Sequence, residues 1–162
     1  MRAMPVTIIV GLLALAAGAT SPLEAQRLGS GRVLVSPEVG IRSGRDFSAD
    51  VWTAGAHFRL PLIGTLEIRP SADFSLKDLG DDFQLNADIA LRGPRDQAYI
   101  GGGLGYLKRN FDSGKDSGTG LNLFVGLKPI PRPGSQLYLE GRWTFVDSET
   151  VFRLSLGVTF PL

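Results

Sequence analysis

The chain has 162 residues, with 17 Lys and Arg against 16 Asp and Glu, one His and no Cys. A formal net charge of +1 gives no basis for nucleic-acid binding, and the lack of cysteine excludes disulfides and thiolate metal sites. The length suits one domain once a leader is set aside.

That leader is legible at the start of the chain. Arg2 makes a short positive region, an apolar run follows from Val6 to Ala19, and "TSPLEAQ" offers small-residue cleavage after Ala25 or after Ala19. The run is shorter than the about 20 apolar residues of a membrane-spanning helix. The expectation is a signal peptide over 1–25 and a mature domain over 26–162.

Beyond Gly31 the chain divides into eight segments of alternating character, at 32–42, 50–60, 65–75, 82–92, 97–108, 120–128, 136–146 and 150–160. The connectors, "SGRDFSA", "PLIG", "LKDLGD", "GPRD", "NFDSGKDSGT", "PIPRPGS" and "DSE", carry the Gly, Pro, Asp and Ser of turns. In the third segment Leu66, Ile68, Pro70, Ala72 and Phe74 face one way and Glu67, Arg69, Ser71, Asp73 and Ser75 the other. The fourth and eighth repeat the pattern. Eight antiparallel strands with short connections close into an up-and-down β-barrel, which removes exposed strand edges.

Alternation by itself fits an apolar interior, as in a soluble lipocalin-like carrier, or an apolar exterior, as in a membrane barrel. The height of the aromatics decides. With both chain ends on one side, taken as periplasmic, the opposite strand ends carry Trp52, Phe74, Phe83, Tyr106, Trp143, Phe145 and Phe152 on the apolar face. Phe58 and Phe160 lie at the periplasmic ends, and aliphatic residues fill the band between. Aromatic girdles around an aliphatic band are the pattern of a bilayer-spanning surface. The other face holds Glu38, His57, Arg59, Glu67, Arg69, Asp73, Asp88, Glu140, Arg142 and Arg153. Turned inward, these charges must pair, and a four-residue "PLIG" turn places Arg59 opposite or diagonal to Glu67. The fold expected is an all-β, eight-stranded antiparallel transmembrane barrel with a polar interior.

Within the fifth segment, "YIGGGLGY" at 99–106 looks at first like a phosphate loop. Gly101, Gly103 and Gly105 recur with period two, however, and Tyr106 occupies the place of the final glycine. They read as the bare inner face of a strand, with "GPRD" placing Gly101 near Asp88, Gly103 near Asn86 and Gly105 near Gln84. Arg142 or Tyr138 is expected to reach into that groove.

The chain ends in "SLGVTFPL", where Ser155, Gly157, Phe160 and Leu162 resemble the assembly signal on the last strand of outer-membrane barrels. The usual closing aromatic is replaced by Leu162, after Pro161. With the leader and the "AYIGGGLGY" stretch, the mature chain resembles the small outer-membrane β-barrel family of Gram-negative bacteria. That group includes the barrel of outer-membrane protein A, here without a peptidoglycan-binding domain. The resemblance implies export, insertion by the barrel assembly machinery, and contact with outer-membrane lipid and lipopolysaccharide. A monomer is expected, with no cofactor, no metal and no nucleic-acid partner.

An eight-stranded barrel encloses only enough room for side chains, so a structural or surface-interaction role leads. The alternatives are a narrow ion or small-solute pore, a membrane-embedded lipid-modifying enzyme and the soluble carrier. Ester hydrolysis would need a serine and an acid beside the lone His57, which the alternation points inward near the periplasmic end. "DSGKDSG" at 112–118 lacks calcium and phosphate-loop spacing and reads as a solvated tip. Arg45, Lys77, Lys108, Arg109 and Lys115 fall at the outer rim, within reach of lipopolysaccharide phosphates but among Asp46, Asp50, Asp81, Asp112 and Asp116.

Overall fold

The computed structural model describes residues 36–77, 82–111, 114–129, 134–146 and 149–162. The expected leader and the start of the first expected strand lie outside this set. Eight strands form one closed antiparallel barrel, each paired with its neighbours in sequence and the last paired with the first. They are β1 (Glu38–Asp46), β2 (Val51–Pro61), β3 (Leu66–Ser75), β4 (Phe83–Arg92), β5 (Ala98–Phe111), β6 (Gly114–Leu127), β7 (Gln136–Val146) and β8 (Glu149–Pro161). The end holding the start of β1 and the finish of β8 is called the inner end, and the opposite one the outer end.

The polarity is inverted relative to a water-soluble domain. On β4, Ile89 and Leu91 are 52% and 53% exposed, while Asp88 beside them is 1% exposed. The same alternation of buried polar and exposed apolar residues runs through β7 and β8. A lipocalin-like barrel has the opposite arrangement.

Three expectations need correction. The first strand runs to Asp46, so Ser43, Gly44 and Arg45 are paired residues and not part of a turn. Asp46 moves the turn outward, because its Oδ1 accepts from the backbone N–H of Ser48 at 2.9 Å and of Ala49 at 3.2 Å. The β5–β6 pairing continues to Phe111↔Gly114, so most of "DSGKDSG" is strand and the solvated tip is far shorter than expected. Beyond the apolar band neither face of a hairpin needs apolar residues, so alternation fades there while backbone pairing continues.

The β4–β5 register is also shifted by two residues. Gly101 faces Ala90, Gly103 faces Asp88 and Gly105 faces Asn86. The connection is longer than a "GPRD" turn: a short 3-10 turn, Pro94–Asp96, is closed by Gly93 N–H donating to Ala98 O at 2.7 Å. Arg95 and Asp96 adopt left-handed φ values of 61° and 56°. This folds the turn so that Asp96 meets Arg59 and Lys128 at the inner mouth.

Candidate functional site: the lumen network

Period two on eight strands aims one side chain in two at the barrel axis. The ten polar residues expected inside are all buried. Arg42, Asp46, Arg109 and Lys128 join them, as do Arg92 and Asp96, whose side chains are largely buried. Arg42 shares its parity with Glu38, so the alternation already held it.

The charges form one chain along the lumen. At the inner end Arg59 donates to Glu38 at 2.6 Å, to Glu67 at 2.8 Å and to Asp96 at 3.1 Å. The register places Glu67 opposite Pro61, diagonal to Arg59. Lys128 donates to Asp96 at 2.7 Å. Burial pushes the Asp96 carboxyl up, but the Arg59 charge and the Lys128 hydrogen bond outweigh it and hold the group below its ordinary value. Arg69 lies 3.6 Å from Glu67 and 3.1 Å from Glu140.

Glu140 is the hub of the middle. It accepts from Arg42 at 2.9 Å, from Arg142 at 3.1 Å and from the Tyr99 hydroxyl at 3.0 Å. Arg42 forks onto Asp73 at 2.6 and 2.7 Å, and Arg142 donates to Asp88 at 2.6 Å. Arg153 carries the chain outward, 3.3 Å from Asp73 and 3.2 Å from Asp46. Asp46 also takes Arg109 at 2.7 Å. Arg109 was expected at the outer rim, within reach of lipopolysaccharide phosphates. The hairpin extension instead gives it inward parity, and it spans from β5 to β1.

The glycines explain how large groups fit. Tyr99 lies on Gly126, Phe124 on Gly101, Tyr138 on Gly157 and His57 on Gly40, each pair directly cross-strand. A Cβ on any of these glycines would sit inside the facing ring. Thus the groove beside Gly101 holds Phe124, and Tyr138 lies on Gly157 instead. Arg142 does approach from across the barrel: its guanidinium is 4.6 Å from the Phe124 ring centre and pairs with Asp88, which faces Gly103. Phe124 is fully buried and interior, a placement that the polar expectation for the lumen missed. Arg69, 4.2 Å from the Tyr99 ring centre and 5.2 Å from that of Phe124, completes the layer.

His57 is interior as expected. Its Nδ1 is 3.2 Å from the Tyr138 hydroxyl, so the ring is held by a phenol and not by a serine. Towards the outer end a neutral cluster lies beside the charges: Gln84 donates to Asn86 at 2.7 Å and to Thr144 at 2.9 Å, and Asn122 donates to Asn86 and to Asp88 at 2.9 Å each.

No protein-family profile matches the chain, and no curated protein matches it. Solved structures do match. The N-terminal β-barrel domain of OprF from Pseudomonas aeruginosa aligns with a TM-score of 0.67 at 19% identity, covering 78% of this chain and 97% of that one. Neisserial surface protein A gives 0.57 at 12% identity over 78% and 96%. The outer membrane protein Ail of Yersinia pestis gives 0.53 at 16% identity over 78% and 99%. The fold is that of the small eight-stranded outer-membrane barrels.

Within this barrel, all nine expected girdle residues face outward. At the outer end five of them form two groups. Phe74, Phe83 and Tyr106 follow one another at ring distances of 6.4 and 6.0 Å. Trp143, Phe152 and Phe47 follow at 5.0 and 5.6 Å, and Phe47 is an addition from the β1–β2 turn. Arg45 lies over Trp52, paired with Asp50, and Lys108 lies over Phe83. The side chain of Lys115 is outside the described set. In the terminal motif Ser155 and Gly157 face inward, Phe160 faces outward, and Leu162 caps the strand with its N–H donating to Pro37 O at 2.9 Å.

Proposed function

We propose that the protein is an integral outer-membrane barrel whose lumen is closed by its own side chains. It acts without catalysis, as an element that stabilises the envelope or contacts lipid or a partner at its outer rim. The observation that carries this reading is the inverted polarity: an apolar exterior rimmed by aromatics around a continuous charge network. A bilayer solvates such an exterior, whereas water would leave a patch far larger than soluble monomers expose. The leader at 1–25 directs export, and Ser155, Gly157, Phe160 and Leu162 present the last strand to the assembly machinery. The outer girdle then sits at the lipopolysaccharide headgroups, with Arg45 and Lys108 over its rings. The barrel works as a monomer.

Single-channel recording in planar bilayers tests the closed lumen. The parent protein is expected to give no large, stable conductance, and Arg142→Ala to admit at most small openings by freeing Asp88 and uncovering Phe124. A stable open level in the parent overturns the reading in favour of a pore.

A further inference from the structure

The two halves of the lumen are filled differently. Towards the inner end the rings of Tyr99, Phe124 and Tyr138 pack with Ala90 into a buried cluster. Towards the outer end no ring among the described residues fills the axis: small or neutral inward groups, among them Gly44, Thr53, Ser75, Gln84 and Gly105, alternate with the paired charges of Asp46, Asp73, Arg109 and Arg153. A cavity of about 20 Å³ opens there, lined by Asp46, Thr53, Asp73, Ser75, Gln84 and Arg153, with Leu107 and Arg109 on the β5 side, and it reaches the rim at Ala49, Asp82 and Lys108.

Two of those linings have unused hydrogen-bonding atoms. Gln84 gives both its donated bonds through Nε2, and its Oε1 has no partner among the described residues. Arg153 reaches Asp46 through Nη2, while its Nε has none. Both residues are at least nine-tenths buried. Buried polar atoms are almost always satisfied, and a polar cavity holds a water once it offers roughly 10–15 Å³ and two to four polar partners. Gln84 Oε1 is an acceptor, Arg153 Nε a donor, and the hydroxyls of Thr53 and Ser75 line the same space.

We propose that the outer half of the lumen is a water-binding vestibule. It is roofed by the Arg109–Asp46 pair and stops at the ring cluster. The roof is one ion pair thrown across the barrel, from the protruding β5–β6 hairpin to the opposite strand β1. The floor is reached along β4, where Gln84 is followed inward by Asn86, Asp88 and then Ala90 of the cluster. This inference rests on the closed-lumen reading and divides that lumen into a wet and a dry part.

The absence of native cysteine makes the division measurable. Single-cysteine variants Ser75→Cys and Thr53→Cys report on the vestibule, and Ala90→Cys reports on the ring cluster. Each is refolded into lipid nanodiscs and exposed to silver ion. Thiols left free are then counted by maleimide labelling after denaturation, with heat-modifiability confirming the fold. Silver is expected to protect Ser75→Cys and Thr53→Cys, at least tenfold faster when Arg109→Ala removes the roof, and to leave Ala90→Cys untouched. Silence at both vestibule positions beside a silent Ala90→Cys overturns the vestibule alone. An unchanged rate with Arg109→Ala overturns the roof. Reaction at Ala90→Cys as fast as at Ser75→Cys removes the dry floor, and with it the closed-lumen reading.

Discussion

The inner and outer halves of this lumen solve one problem with different chemistry. Eight strands bring many side chains to a narrow axis, and each level must be filled without leaving a charge alone. The inner half uses size. Rings lie on facing glycines, and guanidinium groups lie on the rings with their carboxylates beside them. The outer half sets small neutral groups among the charges of Asp46, Asp73, Arg109 and Arg153, with Arg109–Asp46 crossing the barrel, and it keeps a cavity. Tight filling by aromatics and charge makes a plug; amides and hydroxyls with spare valences make a place for water. Substitutions in the inner half should therefore be far more damaging than matched ones in the outer half.

The largest contrast is expected between Glu140→Leu and Thr144→Val on the same strand. Loss of the Glu140 carboxylate leaves Arg42, Arg69 and Arg142 without a shared partner, a change of the kind that costs about 3–5 kcal/mol. Thr144→Val keeps shape and removes one member of the neutral cluster, for about 1 kcal/mol. Urea unfolding in micelles, followed by tryptophan fluorescence, measures both. Equal losses would erase the distinction between the halves.

Next comes the packing of the glycine row. A Cβ at Gly103 would press into the backbone of Ala87 and Asp88, which cannot swing aside. Gly103→Leu should therefore destabilise by at least about 1–3 kcal/mol and weaken heat-modifiable folding. Gly141 faces outward, where a Cβ meets ring atoms of Phe152 and Trp143 at 3.7–3.9 Å, so Gly141→Ala should be close to neutral. A Gly103→Leu variant that folds as well as Gly141→Ala would show that the row is not needed for space.

The smallest effect expected is acid-dependent and sits at the inner mouth. The Asp96 carboxyl has its pKa held below the unfolded value of about 4. Its contribution to stability is therefore fully present above that value and is lost as pH falls through the folded one. Subtracting the stability of Asp96→Asn from that of the parent between pH 2 and pH 7 should give a difference that is largest near neutrality and fades in acid. A difference independent of pH would mean that the carboxylate charge does not hold the turn.

Several features were legible in single residues. Period two in the third, fourth and eighth segments gave the strands and their faces, because one sheet face meets lipid and the other does not. Arg59 beside Glu67 followed from a short turn. Arg109 was misplaced because its position depends on how far the β5–β6 hairpin extends, and outside the bilayer no polarity pattern marks that length. Phe124 was missed for another reason. An aromatic among inward positions conflicts with a polar lumen until Gly101 is known to face it across the strand pair.

The sequence by itself determined the barrel, its strand number and its inverted polarity, since these rest on local alternation and on the sorting of aromatics by height. Only the tertiary structure decided which charges meet, because a β-strand fixes the face of a residue and not its register with distant strands. A shift of two residues leaves every face unchanged and changes every neighbour, as the β4–β5 pair shows. The division of the lumen into plug and vestibule, like the Arg109–Asp46 crossing, depends on that register and on closure of the sheet.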